Sequence, residues 1–132
     1  MLFLDSAVRL TDISDGTSNT IAIGERPPSA DLYFGWWYAG VGQLGNGDAD
    51  THLGVRGLNE RVAGSTCPVG SYHFAAGRVR DQCDMFHFWS LHPGGANFAF
   101  ADGSVRFLSY SADSVMPALS TRAGGETASV PD

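Results

Sequence analysis

The chain has no lysine. Its eight basic residues are all arginine, set against fourteen acids, for a net charge of −6. A nucleic-acid-binding surface needs a basic stripe, so this balance argues against nucleic acid as a partner. No apolar run reaches eighteen residues, and no stretch therefore reads as a membrane span. Met1-Leu2-Phe3-Leu4-Asp5 is too short and too early charged for a signal peptide. Only two cysteines occur, without a Cys-x-x-Cys pair, which leaves structural zinc little support. There is no Gly-x-Ser-x-Gly elbow for a serine hydrolase. Gly94-Gly95 precedes a strand and has no lysine beside it, so it is not a phosphate loop.

What is present describes a globular chain. Its 132 residues fit one domain, 1–132, with enough length to bury a core, and its residues are 43% hydrophobic and 17% charged. Seventeen glycines and frequent turn pairs favour short strands joined by loops over long helices. We expect a β-rich α+β domain built on a mainly antiparallel sheet. Residues from about 121 to 132 read as a loosely ordered tail.

The strongest local signal is Asn97-Phe98-Ala99-Phe100-Ala101-Asp102-Gly103-Ser104-Val105-Arg106-Phe107-Leu108. Two apolar runs flank an Asp-Gly pair, and a two-residue hairpin turn needs the positive φ that Asp tolerates and Gly accepts freely. Turning at Asp102 and Gly103 would set Phe100 opposite Val105 and Phe98 opposite Phe107. Those four side chains would then share one face, because strand side chains alternate. The exposed edge of such a hairpin can add to a neighbour's sheet.

Upstream, Thr20-Ile21-Ala22-Ile23-Gly24-Glu25 alternates as a strand with Ile21 and Ile23 on one side. The preceding residues, Thr11 to Thr20, are almost all turn and capping chemistry, with a helical turn starting at Asp12 or Asp15. Met85 to Ser90 alternates again, placing Phe86 and Phe88 opposite His87 and Trp89. Residues 1–10 suit a short strand, or a strand and loop, and Asp113 to Ser120 a helical turn. In the aromatic block Asp31 to Ala39, adjacent Trp36 and Trp37 would face opposite sides of a strand, one in the core and one on a surface.

Cys67 and Cys83, an even count in a Gly-rich and Lys-free domain, suit a disulfide worth about 3 kcal/mol in the chain-entropy model. Two buried free thiols are the alternative. Asn46, Asp48 and Asp50 alternate as in the first half of a calcium loop. Thr51 stands where that loop needs glycine and Gly57 where it needs a bidentate acid, so a solvated acidic turn competes with a calcium site. No other cofactor is indicated.

Catalysis finds little to build on. Ser90 and His92 lie two apart, but any chain with four histidines permits a triad on paper. His73, His87 and His92 lack the i, i+4 spacing of a helical metal pair. His92 and Asp102 are ten residues apart, about 33 Å if fully extended, so they belong to opposite ends of one strand. Asp102 should serve the turn, and His92 should anchor the loop entering the strand through a bond to the backbone.

With these residues laid out, the chain resembles a known family. His92, nine intervening residues, then Asp102-Gly103 matches the His-x9-Asp-Gly signature of a bacterial C-terminal domain associated with prepilin-type processing. Three more blocks match in order. They are Asp15-Gly16-Thr17-Ser18-Asn19-Thr20-Ile21 with Gly24-Glu25, then Ser90-Leu91-His92-Pro93-Gly94-Gly95, and then Leu119 to Glu126.

The resemblance implies a pilin-like or pseudopilin-like globular head, outside the cell or in its envelope, packing against like subunits in a filament. It implies structural roles for Asp15, Gly16, Asn19, His92, Gly94, Gly95, Asp102 and Gly103. It also implies an N-terminal apolar helix that this sequence does not contain, to be supplied by a separate chain or a missing segment. The expected function is therefore non-enzymatic. The alternative is an extracellular module binding a glycan or calcium through Trp36 or Trp37 and the acidic loop; a small hydrolase is a third reading.

Overall fold

A computed structural model describes residues 7–32, 54–59 and 66–126. Trp36, Trp37, Asn46, Asp48 and Asp50 lie outside them, as do residues 1–6 and 127–132.

Three antiparallel strands carry the core. They are β1 (Ile21–Gly24), β4 (Gly95–Phe100) and β5 (Val105–Ser109), in the order β1-β4-β5. A second antiparallel pair joins β2 (Gly57–Asn59) to β3 (Gly70–Tyr72). The α-helix α1 (Met116–Ser120) follows a 3₁₀ turn at Tyr110–Val115. Pro117 sits in its first turn, where a missing N–H costs nothing. Further 3₁₀ turns occupy Leu10–Asp12, Thr17–Asn19 and Gln82–Phe86. Among the described residues the domain is small and β-rich, with antiparallel sheets and one short α-helix, in keeping with the α+β expectation.

The hairpin forms, but with a three-residue turn. Phe100 N–H donates to the Ser104 carbonyl at 2.8 Å, and Gly103 N–H donates to the Phe100 carbonyl at 2.9 Å. Gly103 has φ +85° and supplies the left-handed residue that closes a three-residue loop. Asp102 Oδ1 accepts from Ser104 N–H at 2.9 Å, so the aspartate does serve the turn.

The observed register pairs Phe98 with Arg106 and Ala99 with Val105, one residue away from the pairing that a two-residue turn would impose. A one-residue slip exchanges the faces of a strand. Phe98 is accordingly 0% exposed, while Val105 is 67% and Phe107 50% exposed. The face shared by Phe98, Phe100, Val105 and Phe107 does not exist. Ala96, Phe98 and Phe100 instead face inward with Leu108.

Two other alternations are broken. The register between β1 and β4 shifts between Ile21 and Ile23, so Ile21 is buried at 8% and Ile23 exposed at 65%. The stretch Met85 to Ser90 is no strand. Gln82–Phe86 winds as a 3₁₀ turn, with the Asp81 carboxylate accepting from Cys83 N–H at 2.9 Å. His87 and Trp89 are buried, and Phe88 packs at the core margin.

The core covers one side of the sheet. Ile21, Ala96, Phe98, Phe100 and Leu108 meet Phe74 from the second sheet's side and Ala112, Met116 and Leu119 from the C-terminal helical turns. Phe74 lies edge-on to Phe98 at 5.2 Å, and Phe88 meets the same ring at 5.6 Å. The Cys67–Cys83 disulfide ties the entry of β3 to the 3₁₀ turn at Gln82–Phe86.

Candidate functional site

The conspicuous residues of the sequence meet as two clasps, each centred on a carboxylate. In the first, Asp15 accepts from Gly124 N–H at 2.8 Å, Gly125 N–H at 3.0 Å and Thr121 Oγ1 at 3.1 Å. The partners are more than a hundred residues away in sequence. The Gly124 N–H, then the Gly125 N–H, hold the Asp15 carboxyl below the usual carboxylate range, with a smaller contribution from Thr121 and against the small opposing effect of burial. Gly16 takes φ +91°, Asn19 N–H donates to its carbonyl, and Asn19 Nδ2 donates to the Asp15 carbonyl. Thr20 Oγ1 lies within bonding distance of the Gly16 and Thr121 carbonyls. Residues 121–125, read from sequence as part of a loose tail, are thus tied to the N-terminal turn.

The second clasp joins β1 to the start of β4. Glu25 Oε2 accepts from Asn97 N–H at 2.8 Å and from Asn97 Nδ2 at 3.2 Å. Its other oxygen lies 3.4 Å from His92 Nε2. The His92 ring stands edge-on to Phe107, with centroids 6.4 Å apart. So the side chain of His92 reaches a carboxylate, where a backbone partner was expected. The loop itself is held by Ser90. Its hydroxyl donates to the Gly95 carbonyl at 2.6 Å and accepts from His92 N–H at 2.9 Å. Gly94 adopts φ +82°. A Cβ on Gly95 would overlap the carbonyl oxygen of Leu108, so the two strands can approach here only over a glycine.

A third carboxylate joins the second sheet's side to the C-terminal turns. Asp113 pairs with Arg56 Nη1 at 2.7 Å and His73 Nδ1 at 2.9 Å, and accepts from Phe74 N–H at 2.9 Å. Burial pushes its pKa up. The hydrogen bonds from His73 and Phe74 and the charge of Arg56 outweigh this and leave it lowered.

The three described histidines therefore face three different acids: His73 faces Asp113, His87 faces Asp84 and His92 faces Glu25. Among the described residues no cluster of three or more His, Cys, Asp or Glu side chains converges as a metal-binding group. His92 and Asp102 have separate partners, Glu25 for one and Ser104 for the other. The Ser90 hydroxyl is buried and engaged by Gly95 and His92 backbone groups. What these side chains do chemically is hold orphan backbone N–H groups of turns and strand ends, which are costly to leave unpaired.

Sequence reading singled out Asp15, Gly16, Asn19, His92, Gly94, Gly95, Asp102 and Gly103. It did not single out Glu25, Asn97, Asp113, Arg56 or Thr121 as their partners. The one signal available was that the ordered blocks each hold either an acid or a Gly-Gly pair rich in free amides. Nothing in the spacing says which block meets which.

These features define a small disulfide-linked antiparallel domain whose marked polar residues fasten distant turns to one another. The chain belongs to the family SBP_bac_10, described as "Protein of unknown function (DUF1559)", whose model matches residues 1–114. The match takes in Asp15, Glu25, His92, Asp102 and Asp113 and ends before the Gly124-Gly125 half of the first clasp. No curated protein and no solved structure matches the chain.

Proposed function

We propose that the chain is the globular head of a pilin-like or pseudopilin-like subunit and acts, without catalysis, by packing against like subunits outside the cytoplasm. One observation carries this reading: the motif side chains are engaged with one another and with backbone amides. They fasten distant turns to one another, where a ligand site would keep polar groups unmet. The Cys67–Cys83 disulfide fits an oxidising compartment, the cell surface or envelope. Among the described residues no helix is long and apolar enough to cross a membrane.

The test is made in the native host. Sheared surface material and the envelope are fractionated, and the chain is followed after cross-linking its carboxylates with a dihydrazide and a carboxyl-activating triazine, since no lysine is present for amine-reactive reagents. Ladders of like subunits are the expected result. Recovery only at the size of one chain, in every fraction, would refute the proposal.

A further inference from the structure

Among the described residues no strand pairs with the outer edge of β5. Phe100 bonds to Ser104 and Tyr110 N–H donates to the Gly94 carbonyl at 2.9 Å. With Phe98 opposite Arg106 and Ala96 opposite Leu108, the even-numbered residues of β5 carry the ladder to β4. The odd-numbered residues turn their backbone outward. β5 ends the strand order, and no loop, turn or cap bond among the described residues ends on the N–H or C=O of Val105 or Phe107, or on the N–H of Ser109. The C=O of Ser109 opens the following 3₁₀ turn. The side chains of Val105 and Phe107, which stand on a face of the sheet beside this edge, are exposed. The strand has neither the proline nor the lysine that commonly blunts such an edge.

The geometry points to a second copy of this chain as the occupant, paired antiparallel along β5 with the two-fold axis at Phe107. This inference rests on the packing reading above and names the surface it uses. An isologous contact must be self-complementary. Across this axis Phe107 meets Phe107 of the second copy, Val105 meets Ser109, and Arg106 meets Leu108. No two like charges fall opposite each other, although the whole chain carries −6. β5 holds no acid, and its one cation is folded inward, with the Arg106 guanidinium 4.4 Å above the Phe100 ring. Each Ser109 N–H then donates to the opposing Val105 carbonyl, and the two Phe107 residues exchange both bonds. Edge pairing of two five-residue strands buries far less than the ~1,200 Å² of a stable interface, so a Kd of roughly 0.1–1 mM is expected for free chains. Subunits held side by side would pair far more fully.

Ser109 offers the test. Its φ of −71° is the value proline imposes, and its N–H does not serve the ladder to β4. Ser109→Pro should therefore fold with an unchanged melting midpoint and weaken association at least about tenfold. Sedimentation of the whole chain from 10 µM to 1 mM should show growing dimer for wild type. Amide exchange should show protection gained with concentration at Phe107 and Ser109, against steady protection at Arg106 and Leu108.

A wild-type chain that stays monomeric throughout overturns the inference. So does protection of these two amides that is independent of concentration, since another part of the same chain would then cover the edge. Equal dimerisation by a folded Ser109→Pro chain also overturns it. If that variant misfolds, Val105→Lys takes its place with the same expected loss. Surface ladders that survive Ser109→Pro would sink the edge contact and leave the packing proposal standing. Dimers in solution with no ladders on cells would do the reverse.

Discussion

Asp15 shows how a single side chain can join the two ends of a chain. Its carboxylate gathers two successive glycine amides and a threonine hydroxyl, donors that no strand or helix would otherwise satisfy. Its folded pKa is lowered, so the stability it contributes is present above the ordinary carboxylate value of 3.8 and is lost as pH falls through the folded value. Asp113, also lowered, adds a loss of the same sign. Asp15→Asn should therefore be less stable than wild type at pH 7, and the gap should narrow below about pH 4. Urea unfolding from pH 2.5 to 7 checks this, and a gap constant over that range would contradict the clasp. At Gly95, the obstacle is backbone. Gly95→Ala places a methyl group against the Leu108 carbonyl, and β4 and β5 must separate to admit it. A loss of about 3 kcal/mol or more is expected in the same measurement.

At the scale of the element, the hairpin separates local from non-local information. Its existence, its position and the part played by Asp102 were legible in Phe98 to Phe107. Its register was not. Asp-Gly suits a two-residue loop and also a three-residue loop with glycine at its end, and the choice decides which phenylalanines are core. The Leu108 side chain, reaching Ala112, Met116 and Leu119 in one cluster, favours the second. Phe98→Ala should cost about 3–5 kcal/mol and Phe107→Ala less than about 1 kcal/mol, measured by denaturant midpoints. Similar losses at both positions would revive the two-residue register. The disulfide is the other element-scale tie. It closes the 16-residue separation between Cys67 and Cys83. Its reduction should lower stability by about 3 kcal/mol, read by thermal melts with and without a phosphine reductant.

For the whole molecule, charge and shape act against each other. A net charge of −6 opposes association of copies at neutral pH, while the proposed edge contact through β5 would favour it. The sequence pI is about 4.9, so the repulsion fades as the solution is taken from pH 7 to pH 5. The Asp15 clasp remains charged across that range. Dimer formation should accordingly strengthen several-fold between pH 7 and pH 5 without loss of fold, and added salt at pH 7 should act in the same direction. Sedimentation across the two pH values checks it. Association unchanged by both pH and salt would mean that net charge does not limit the contact.

Much of this protein follows from local chemistry alone. Asp102-Gly103 demanded a turn, and the paired cysteines suited a bridge. These are statements about the chain as written, and φ preference and cysteine count suffice for them. The meeting of Asp15 with Gly124 and Gly125, of Glu25 with Asn97, and of Asp113 with Arg56 belongs to the folded chain. So do the bulge that turns Ile23 outward and the register that buries Phe98 and exposes Phe107. The physical reason is common to all of them. A hydrogen-bond acceptor or an apolar face has many suitable partners at a distance, and only packing the whole core at once selects one.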